Sequence, residues 1–351
     1  MSFLSTFVLA VLGAVVLTPV SIMIARKLGV LDHPGGRRIH QTPIPRMGGI
    51  AIYLAFWLAV FLRVDLNSTV IGLFLSSTLI VLVGIADDSK GLGPFPKLFL
   101  QIMAAFIFLS FSPSIEYVVL PLVNEVGLGY AGFILGVLWI VGLVNTVNIS
   151  DGLDGLAAGI CMIAALVLFW SAIKIDQIFP AHLMLALTGA ALGFLFFNFN
   201  PAKVFMGDSG SMFLGFILGA VSWTGLLKTA TVLGLIFPLL VLGMPLTDVL
   251  FAIIRRKWKG RSIVLADRGH LHHRLLDMGF TQKSAVLLLY AISAGFGLAA
   301  IFCVYGNWLL AAILVLLNMV LILNIMFRKL KVEKFWVKKI EKEYAEDKHK
   351  V

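Results

Sequence analysis

Residues 145–159 read NTVNISDGLDGLAAG and lie between two long apolar runs, at about 130–147 and 155–173. Two carboxylates, Asp151 and Asp154, stand here in a chain that is 60% hydrophobic and 13% charged, whereas soluble domains carry about 25% charged residues. Apolar runs of about 20 residues cross a bilayer as helices, because unpaired backbone groups are too costly in lipid. The pattern predicts an all-α, polytopic integral membrane protein with polar residues placed where two spans meet.

The same alternation of apolar and polar stretches extends along the chain and predicts about 11 transmembrane helices. Their expected bounds are 3–25, 47–63, 69–86, 97–112, 130–147, 155–173, 182–198, 208–225, 231–254, 284–303 and 307–327. The first run is not expected to be a cleaved signal, since no basic segment precedes it and Arg26 and Lys27 follow it. We therefore predict a transmembrane domain over 1–327 and a basic cytoplasmic tail over 328–351, either solvated or forming an interfacial helix.

Positive charge is unevenly distributed over the predicted loops. Alternate loops share one side of the membrane, and one such set consists of 26–46, 87–96, 148–154, 199–207, 255–283 and the tail from Arg328. With Lys97 at a helix start, this set holds 25 of the 28 Lys and Arg residues, whereas the opposite set holds Arg63, Lys174 and Lys228. Because cytoplasmic loops are enriched in Lys and Arg, the N-terminus is expected outside and the C-terminus in the cytoplasm. The net charge of +10 suits anionic lipid and phosphorylated substrates and does not favour nucleic acid.

Four polar motifs come where a predicted helix starts at the cytoplasmic face. They are PRMGG, PFPK, DGLDG and GDSGS, at the second, fourth, sixth and eighth spans. Helix N-termini present free N–H groups and a partial positive charge that bind phosphate, and glycine permits close backbone approach. Each motif alone also fits an ordinary N-cap, but four on one face predict a phosphate-binding rim.

Five carboxylates fall on this same face: Asp87, Asp88, Asp151, Asp154 and Asp208. The adjacent Asp87 and Asp88 repel each other unless a cation, a metal or a shared proton intervenes, and a solvated loop pair is the alternative. Asp151 and Asp154 share a helix face if their helix starts early, or they serve as caps, and Asp208 is also an N-cap candidate. Since Mg²⁺ takes a few carboxylate oxygens together with substrate phosphates, we predict a Mg²⁺ site, which Mn²⁺ could also occupy.

The longest internal loop, 255–283, is rich in basic residues, and its second half includes Arg268, His270, His272, His273 and Arg274. No cysteine or suitably spaced carboxylate completes a zinc site, so contact with phosphate or sugar fits better; a solvated loop drawn to anionic lipid is the alternative. Asp248 lies seven residues before Arg255, about 10 Å deeper in a helix, and is a second-tier functional candidate. Gly243 and Pro245 predict a bend or break nearby.

Five motifs in the chain resemble, in their order, one family of membrane enzymes: RIHQTPIPRMGG, GIADDSKGL, VNTVNISDGLDGLAAG, FNFNPAKVFMGDSGS and ADRGHLHHRLLDMGF. Over about 1–327 the chain is similar to the polyprenyl-phosphate N-acetylhexosamine-1-phosphate transferases. One branch transfers phospho-MurNAc-pentapeptide, and another transfers GlcNAc-1-phosphate and begins teichoic acid, the O-antigen of lipopolysaccharide or related glycans. The stretches HLHHR and HQTPIPRMGG resemble the GlcNAc-1-phosphate branch.

The resemblance implies that undecaprenyl phosphate attacks the β-phosphorus of UDP-GlcNAc at the cytoplasmic face of a bacterial plasma membrane, giving GlcNAc-diphosphoundecaprenol and UMP. It implies that Asp208 and Asp151 bind metal and that Phe205 stacks on uracil. The implied catalytic group is Asp87, Asp88, Asp151 and Asp154. The implied substrate-binding group is Asn148, Asn198, Phe205, Lys97, Lys203, His270, His272, His273 and Arg274.

Several points stay open in this interpretation. Direct in-line attack and a two-step route through an aspartyl intermediate both fit the residues. A homodimer is a further implication of the resemblance. The alternative functions are the pentapeptide-transferring branch and, in a different class, a lipid or solute transporter, which charges at the membrane midplane on broken helices would favour.

Overall fold

The computed structural model describes residues 2–33, 42–113, 117–120, 124–226, 232–258, 260 and 269–348. Within these ranges the chain is mostly helical. The helices are α1 (Phe3–Leu28), α2 (Gly48–Arg63), α3 (Ser68–Lys90), α4 (Pro94–Phe111), α5 (Gly129–Ser150), α6 (Leu156–Lys174), α7 (Ile178–Asn198), α8 (Gly207–Val221), α9 (Val232–Val241), α10 (Gly243–Trp258), α11 (Leu271–Asp277), α12 (Gln282–Val304) and α13 (Trp308–Lys348). A π-helical turn, Ser222–Leu226, follows α8.

Within the described ranges, eight helices are long and apolar enough to span a bilayer: α1, α3, α4, α5, α6, α7, α12 and the Trp308–Arg328 part of α13. The chain is therefore a multi-pass membrane protein, as the composition predicts. Helices α2, α8, α9 and α10 are shorter, with 16, 15, 10 and 16 residues, so the eleven spans and their orientation stay predictions. Helix α13 runs to Lys348 without interruption, across the predicted domain boundary at 327.

The ninth predicted span, 231–254, is two helices in the structure. Helix α9 ends at Val241 and α10 begins at Gly243. Pro238 lies inside α9 and Pro245 in the first turn of α10, and proline removes a helical N–H and disfavours an uninterrupted helix. The break predicted near Gly243 is confirmed.

Two short antiparallel strand pairs interrupt the all-α pattern that the sequence predicts. Strand β1 (Leu31–Asp32) pairs with β2 (Ile44–Pro45), just before α2. Strand β3 (Tyr117–Leu120) pairs with β4 (Asn124–Gly127) in the connection between α4 and α5. Hydropathy does not reveal strands this short, because two to four residues carry no measurable period.

Helices α7 and α8 lie at the centre, where glycines let backbones touch. A Cβ atom on Gly189 would lie 2.7 Å from the carbonyl oxygen of Phe7, and one on Gly193 would lie 2.5 Å from that of Val11. The spacing of four residues is the small-residue pattern of close helix pairs in membranes. Gly215 gives α8 a similar approach to the backbone of α5, and nearly every residue of α8 is buried.

The end of α3 differs from the prediction. The helix continues to Lys90 and ends at Gly91, whose φ of +70° suits glycine. Asp87 and Asp88 therefore lie in the last turn of a helix and not in a loop over 87–96. The hydropathy pattern ends the span at the first charged residue, whereas the helix continues to a residue that can terminate it.

The turn between α5 and α6 decides between the two arrangements considered for Asp151 and Asp154. Helix α6 begins only at Leu156, after Gly155 with a φ of +77°, so Asp151 and Asp154 lie in the connecting turn and do not share a helix face. The condition on which that expectation depended, an early helix start, is not met. The turn 151–155 instead presents both carboxylates from irregular backbone.

Candidate active site

The N-terminus of α8 is capped by a side chain from α3. Asp88 accepts hydrogen bonds from the N–H groups of Asp208 and Ser209, at 2.9 and 3.1 Å, and from the Ser209 hydroxyl at 3.0 Å. The Asp88 side chain is 0% exposed, and a guanidinium nitrogen of Arg46 lies 3.5 Å from it. A carboxylate stabilises a helix N-terminus by satisfying free N–H groups and opposing the dipole. The cap considered for Asp208 is thus provided by Asp88.

Glycines allow α2 and α3 to reach this N-terminus. A Cβ atom on Gly49 would lie 2.1 Å from the backbone nitrogen of Gly210, and one on Gly84 would lie 2.2 Å from the Cα atom of Ser209. The N–H group of Gly48 donates to the carbonyl oxygen of Phe205 at 3.0 Å. The glycines of PRMGG and GDSGS therefore allow the starts of α2 and α8 to pack against each other beside the site. Two motifs of the predicted phosphate-binding rim are thus in direct contact.

Lys97, in the first turn of α4, brings three predicted site residues together. Its Nζ atom forms a short ion pair with Oδ2 of Asp208 and lies 3.3 Å from Oδ2 of Asp87 and 3.5 Å from Oδ1 of Asn148. Asn148 also donates from Nδ2 to the Ser211 hydroxyl at 2.9 Å. The side chains of Lys97, Asp87 and Asp208 are 15%, 17% and 18% exposed. One ammonium group thus bridges two carboxylates that solvent still reaches.

The turn 151–155 is tied to the loop that follows α7. Oδ2 of Asp154 accepts hydrogen bonds from Nδ2 of Asn200 at 2.9 Å and from the N–H group of Ala202 at 3.1 Å. Asn198, only 4% exposed, accepts from the N–H group of Gly155 at 3.0 Å and donates to the carbonyl oxygen of Val204 at 2.8 Å. Asp154 and Asn198 therefore shape the site by joining two segments of backbone.

A polar cavity of about 690 Å³ lies beside these groups. Residues from six stretches of the chain contribute to its wall, including Arg46, Asp151, Asp154, Phe205, His273 and Gln282. This size is in the range that holds a drug-sized or nucleotide-sized ligand, about 300–1,000 Å³. Lys203 is exposed and is not part of this wall.

The histidines of the last loop lie in different environments. His270 is 6% exposed, and its Nδ1 atom lies 3.0 Å from Oδ2 of Asp248. His272 is 3% exposed and packs on the turn 151–155, since a Cβ atom on Gly152 would lie 2.4 Å from its Nε2 atom. His273 belongs to the cavity wall. Of the three histidines predicted to bind substrate, His270 is paired with Asp248, His272 packs against backbone, and His273 lines the cavity.

Arg274 points away from the cavity wall. It is 8% exposed, its Nε atom donates to the carbonyl oxygen of Gly269 at 2.9 Å, and its Nη1 atom donates to that of Met326. These contacts join α11 to α13. Arg268, considered together with Arg274, lies outside the described residues.

The electrostatic environment differs between the two sides of the cavity. Burial, with the negative charges of Asp208 and Asp88, raises the pKa of Asp151 to about 7. Burial, with the positive charge of His273, lowers the pKa of His272 to about 3, so this ring is neutral at physiological pH. The side of the cavity that carries Asp151 therefore favours a bound cation. On the side that carries the histidines, His272 contributes no charge.

The chain shares sequence with known membrane transferases. Residues 70–226 match the family described as Glycosyl transferase family 4. A Bacillus subtilis (strain 168) protein named "Probable undecaprenyl-phosphate N-acetylglucosaminyl 1-phosphate transferase" is 36% identical over 301 residues, covering 84% of this chain and 83% of the relative. The chain belongs to Glycosyl transferase family 4. It is accordingly an enzyme, a phosphotransferase.

Other family relatives point to the same chemistry. A "Decaprenyl-phosphate N-acetylglucosaminephosphotransferase" of Mycobacterium tuberculosis (strain ATCC 25618 / H37Rv) is 37% identical over 299 residues, covering 76% of this chain and 74% of the relative. A "Phospho-N-acetylmuramoyl-pentapeptide-transferase" of Bacillus thuringiensis (strain Al Hakam) is 33% identical over 322 residues, covering 86% and 96%. The resemblance deduced from the motifs is confirmed.

Three residues of this family 4 site were not predicted from the sequence. Arg46 lies 3.5 Å from Asp88 and 4.0 Å from Asp208, Asn200 bonds Asp154, and Gln282 contributes to the cavity wall. Arg46 and Asn200 stand inside the motifs PRMGG and FNFNPAK, so the motifs contained the signal. Gln282 stands in no motif, and only the fold brings it to the cavity.

Proposed function

We propose that the enzyme transfers GlcNAc-1-phosphate from UDP-GlcNAc to undecaprenyl phosphate, giving GlcNAc-diphosphoundecaprenol and UMP. The observation that carries this proposal is the contact of Lys97 with Asp208, Asp87 and Asn148 beside a cavity of about 690 Å³. This contact brings the charges of Lys97, Asp87 and Asp208 together, next to a cavity that can hold a nucleotide sugar. The names of the relatives from Bacillus subtilis and Mycobacterium tuberculosis supply the acceptor and the sugar.

A divalent cation fits the same oxygen atoms. The ammonium of Lys97 has two carboxylate oxygens and one amide oxygen around it, a hard, oxygen-only donor set that suits Mg²⁺. No group of three or more His, Cys, Asp or Glu side chains in the described part of the chain is arranged to hold a metal. Mg²⁺ usually takes one or two carboxylates and completes its shell with water and substrate phosphates. Asp208 belongs to this oxygen set and would hold the ion together with Asp87 beside it or with Asp151, whose pKa the negative charge of Asp208 raises; Mn²⁺ could substitute. Bound there, the ion supplies neutralisation of the phosphate charge.

The two adjacent carboxylates of α3 have separate roles in this proposal. Asp88 is fully buried and bonds the start of α8, so it supports the site. Asp87 is 17% exposed, accepts from the N–H group of Leu92 at 2.6 Å and contacts Lys97. Asp87 is therefore the carboxylate that orients the acceptor phosphate and takes any residual proton.

The chemical step needs positioning more than a strong base. The second pKa of a phosphate monoester is about 6, so the acceptor is mostly dianionic at neutral pH. An acceptor oxygen forms a bond to the β-phosphorus while the bond from that phosphorus to UMP breaks, and UMP leaves with the electron pair. Lys97 neutralises charge beside the reacting phosphates. We favour this direct route over an aspartyl intermediate, because the dianionic acceptor is itself the nucleophile and needs no strong base, and because Asp88 is withheld by its hydrogen bonds.

The cavity is assigned to the donor. Phe205 is at its wall, where an aromatic ring can stack on uracil, and Asp154 and Asn198 fix the loop that carries Phe205. The distribution of Lys and Arg supports a cytoplasmic active site in a bacterial plasma membrane, where a soluble nucleotide sugar meets the headgroup of a membrane lipid. The product would begin an envelope glycan such as teichoic acid or O-antigen.

The test is UMP release by the purified protein in detergent with undecaprenyl phosphate and Mg²⁺, with UDP-GlcNAc and UDP-MurNAc-pentapeptide in parallel. We expect release with UDP-GlcNAc and none with the pentapeptide donor. Release only with the pentapeptide donor would assign the enzyme to the branch of the Bacillus thuringiensis relative. Absence of release with both would contradict the proposed donor, and a transporter would release none.

Two variants connect this activity with the site. Asp208→Ala and Asp151→Ala are expected to abolish UMP release while the protein stays folded in detergent, as judged by gel filtration and melting. Wild-type turnover by either variant would remove that residue from the site. Met23→Ala, at an exposed position of α1, serves as the control and should retain activity.

A further inference from the structure

Asp248 makes contacts that the proposed reaction does not use directly. It is 3% exposed and lies on α10, yet both of its oxygens bond the start of α11. Oδ1 accepts from the N–H group of Leu271 at 2.9 Å, and Oδ2 lies 3.0 Å from Nδ1 of His270. A buried carboxylate is costly unless it is paired and hydrogen-bonded, so these contacts determine where α11 begins.

The position of α11 is transmitted to the donor cavity by stacked rings. The rings of His270 and His272 are nearly parallel, with an interplanar angle of 7° and centroids 5.8 Å apart. His272 in turn fills the space above Gly152, next to Asp151. The following residue, His273, has its ring 4.3 Å from that of His272 and belongs to the cavity wall.

Two arginines hold the same point from other sides. Arg255, also on α10, donates from Nη1 to the carbonyl oxygen of Gly269 at 3.0 Å, and Arg274 donates to that same carbonyl from Nε at 2.9 Å. A Cβ atom on Gly269 would lie 2.1 Å from Cζ of Arg255, so the guanidinium packs directly on the backbone. These bonds locate the chain at Gly269, whereas Asp248 sets the direction of the helix that follows.

We propose that Asp248 is a positioning residue of the donor site: it fixes the start of α11, so that His272 packs on the turn carrying Asp151 and His273 reaches the cavity. The inference rests on the proposed function in taking that cavity as the nucleotide-sugar site. It gives a role to a buried carboxylate that touches neither substrate. It also divides the histidines into His270 and His272, which support the wall, and His273, which forms it.

The test compares Asp248→Ala with Asp248→Asn in the full-length protein in detergent. Asparagine keeps an oxygen for the N–H group of Leu271 and a side chain of the same shape, so it should restore most of the contact. For Asp248→Ala we expect the Kd of UDP and the KM of the donor to rise about tenfold, as when support of a site residue is removed. The kcat and the KM of the acceptor should stay within about threefold of the wild type, and Asp248→Asn should behave as the wild type.

Hydrogen exchange reports the structural half of the inference. Amides of residues 271–277 should exchange faster in Asp248→Ala and at the wild-type rate in Asp248→Asn. The matched control is Asn318→Ala: Asn318 is a buried polar side chain, 8% exposed, that bonds within its own helix, α13. It should alter neither α11 exchange nor UDP affinity. His270→Ala removes the other half of the pair and provides the measurement if Asp248→Ala does not accumulate.

Each outcome decides the proposal. Unchanged exchange of α11 in Asp248→Ala would overturn the anchoring, and faster exchange with unchanged UDP affinity would reduce Asp248 to a stabilising residue. A fall in kcat alone would also contradict it. If the wild type releases no UMP, the proposed reaction fails, while UDP affinity and exchange still judge the role of Asp248.

Discussion

Lys97 supplies one positive charge to two carboxylates, Asp87 and Asp208. Without it, the two negative charges would repel each other unless another cation took its place. We predict that Lys97→Met lowers UMP release by about a hundredfold or more, the range seen when one electrostatic donor is removed from an active site. The melting temperature of this variant should also depend more steeply on Mg²⁺ than that of the wild type.

The measurements are UMP release and thermal melting across a series of Mg²⁺ concentrations. Lys27→Met, at an exposed lysine in the last turn of α1, is the control and should match the wild type. A Lys97→Met protein whose melting ignores Mg²⁺ would show that the ion does not bind beside Asp87 and Asp208.

Asp87 and Asp88 are neighbours with different surroundings, so their asparagine variants should differ in both activity and melting temperature. Asp87→Asn should lose most UMP release with little change in melting, because its side chain is partly exposed and faces Lys97. Asp88→Asn should melt at a lower temperature, because the NH2 group that replaces Oδ2 cannot accept from the N–H and hydroxyl groups of Ser209. Leaving buried donors unsatisfied costs about 1–3 kcal/mol, and the variant should retain more activity than Asp87→Asn. Equal loss of activity in both, with unchanged melting, would contradict the division of roles.

The sequence predicts which residues gather at the site but not what each one touches. Motif and charge were enough to single out Asp88, Asn198 and Arg274. Their hydrogen bonds go to the start of α8, to the turn 151–155 and to α13, which are partners distant in the chain. Residue type and spacing carry no information on such pairs, so supporting residues and substrate-facing residues look alike before the fold is known.

Helix α7 depends on glycine for its contact with α1. A Cβ atom at Gly193 would lie 2.5 Å from the carbonyl oxygen of Val11 and 2.8 Å from Cβ of Ala14. We predict that Gly193→Ala destabilises the protein by about 1–3 kcal/mol, as overpacking does, and lowers its melting temperature. The matched control is Gly142→Ala in α5, where nothing lies within 4 Å and alanine favours the helix. An equal effect of both substitutions would show that the backbone contact is unimportant.

At the level of helices, hydropathy predicts where a helix is present better than it predicts the residues at which the helix begins and ends. Each of the eleven predicted spans overlaps a helix or a helix pair, because lipid demands apolar length. The helix ends were missed where polar residues stay helical, as in α3 beyond Ala86 and α5 beyond Val147, or where an apolar residue does not, as at Leu242 between α9 and α10. These ends depend on caps and glycines, and the cap of α8 comes from another helix.

The orientation of the whole molecule can be tested with two exposed residues on either side of α3: Asp65, in the connection from α2, and Lys90, the last residue of α3. The native Cys161 and Cys303 are buried, at 1% and 5% exposure, so they give little background. In intact cells, a membrane-impermeant maleimide should label Asp65→Cys, whereas Lys90→Cys should be labelled only after permeabilisation. The reverse pattern would invert the topology and place the carboxylates outside, away from a cytosolic nucleotide sugar.

The cavity proposed for the donor takes its wall from residues as distant in the chain as Asp32 and Gln282. A ribosome making this protein must therefore synthesise α1 to α11, and start α12, before the wall can close. Until then the carboxylates near α8 have been inserted without the α11 segment beside them. A nascent chain interrupted before Gln282 would lack part of this wall, so the complete cavity arises late in synthesis.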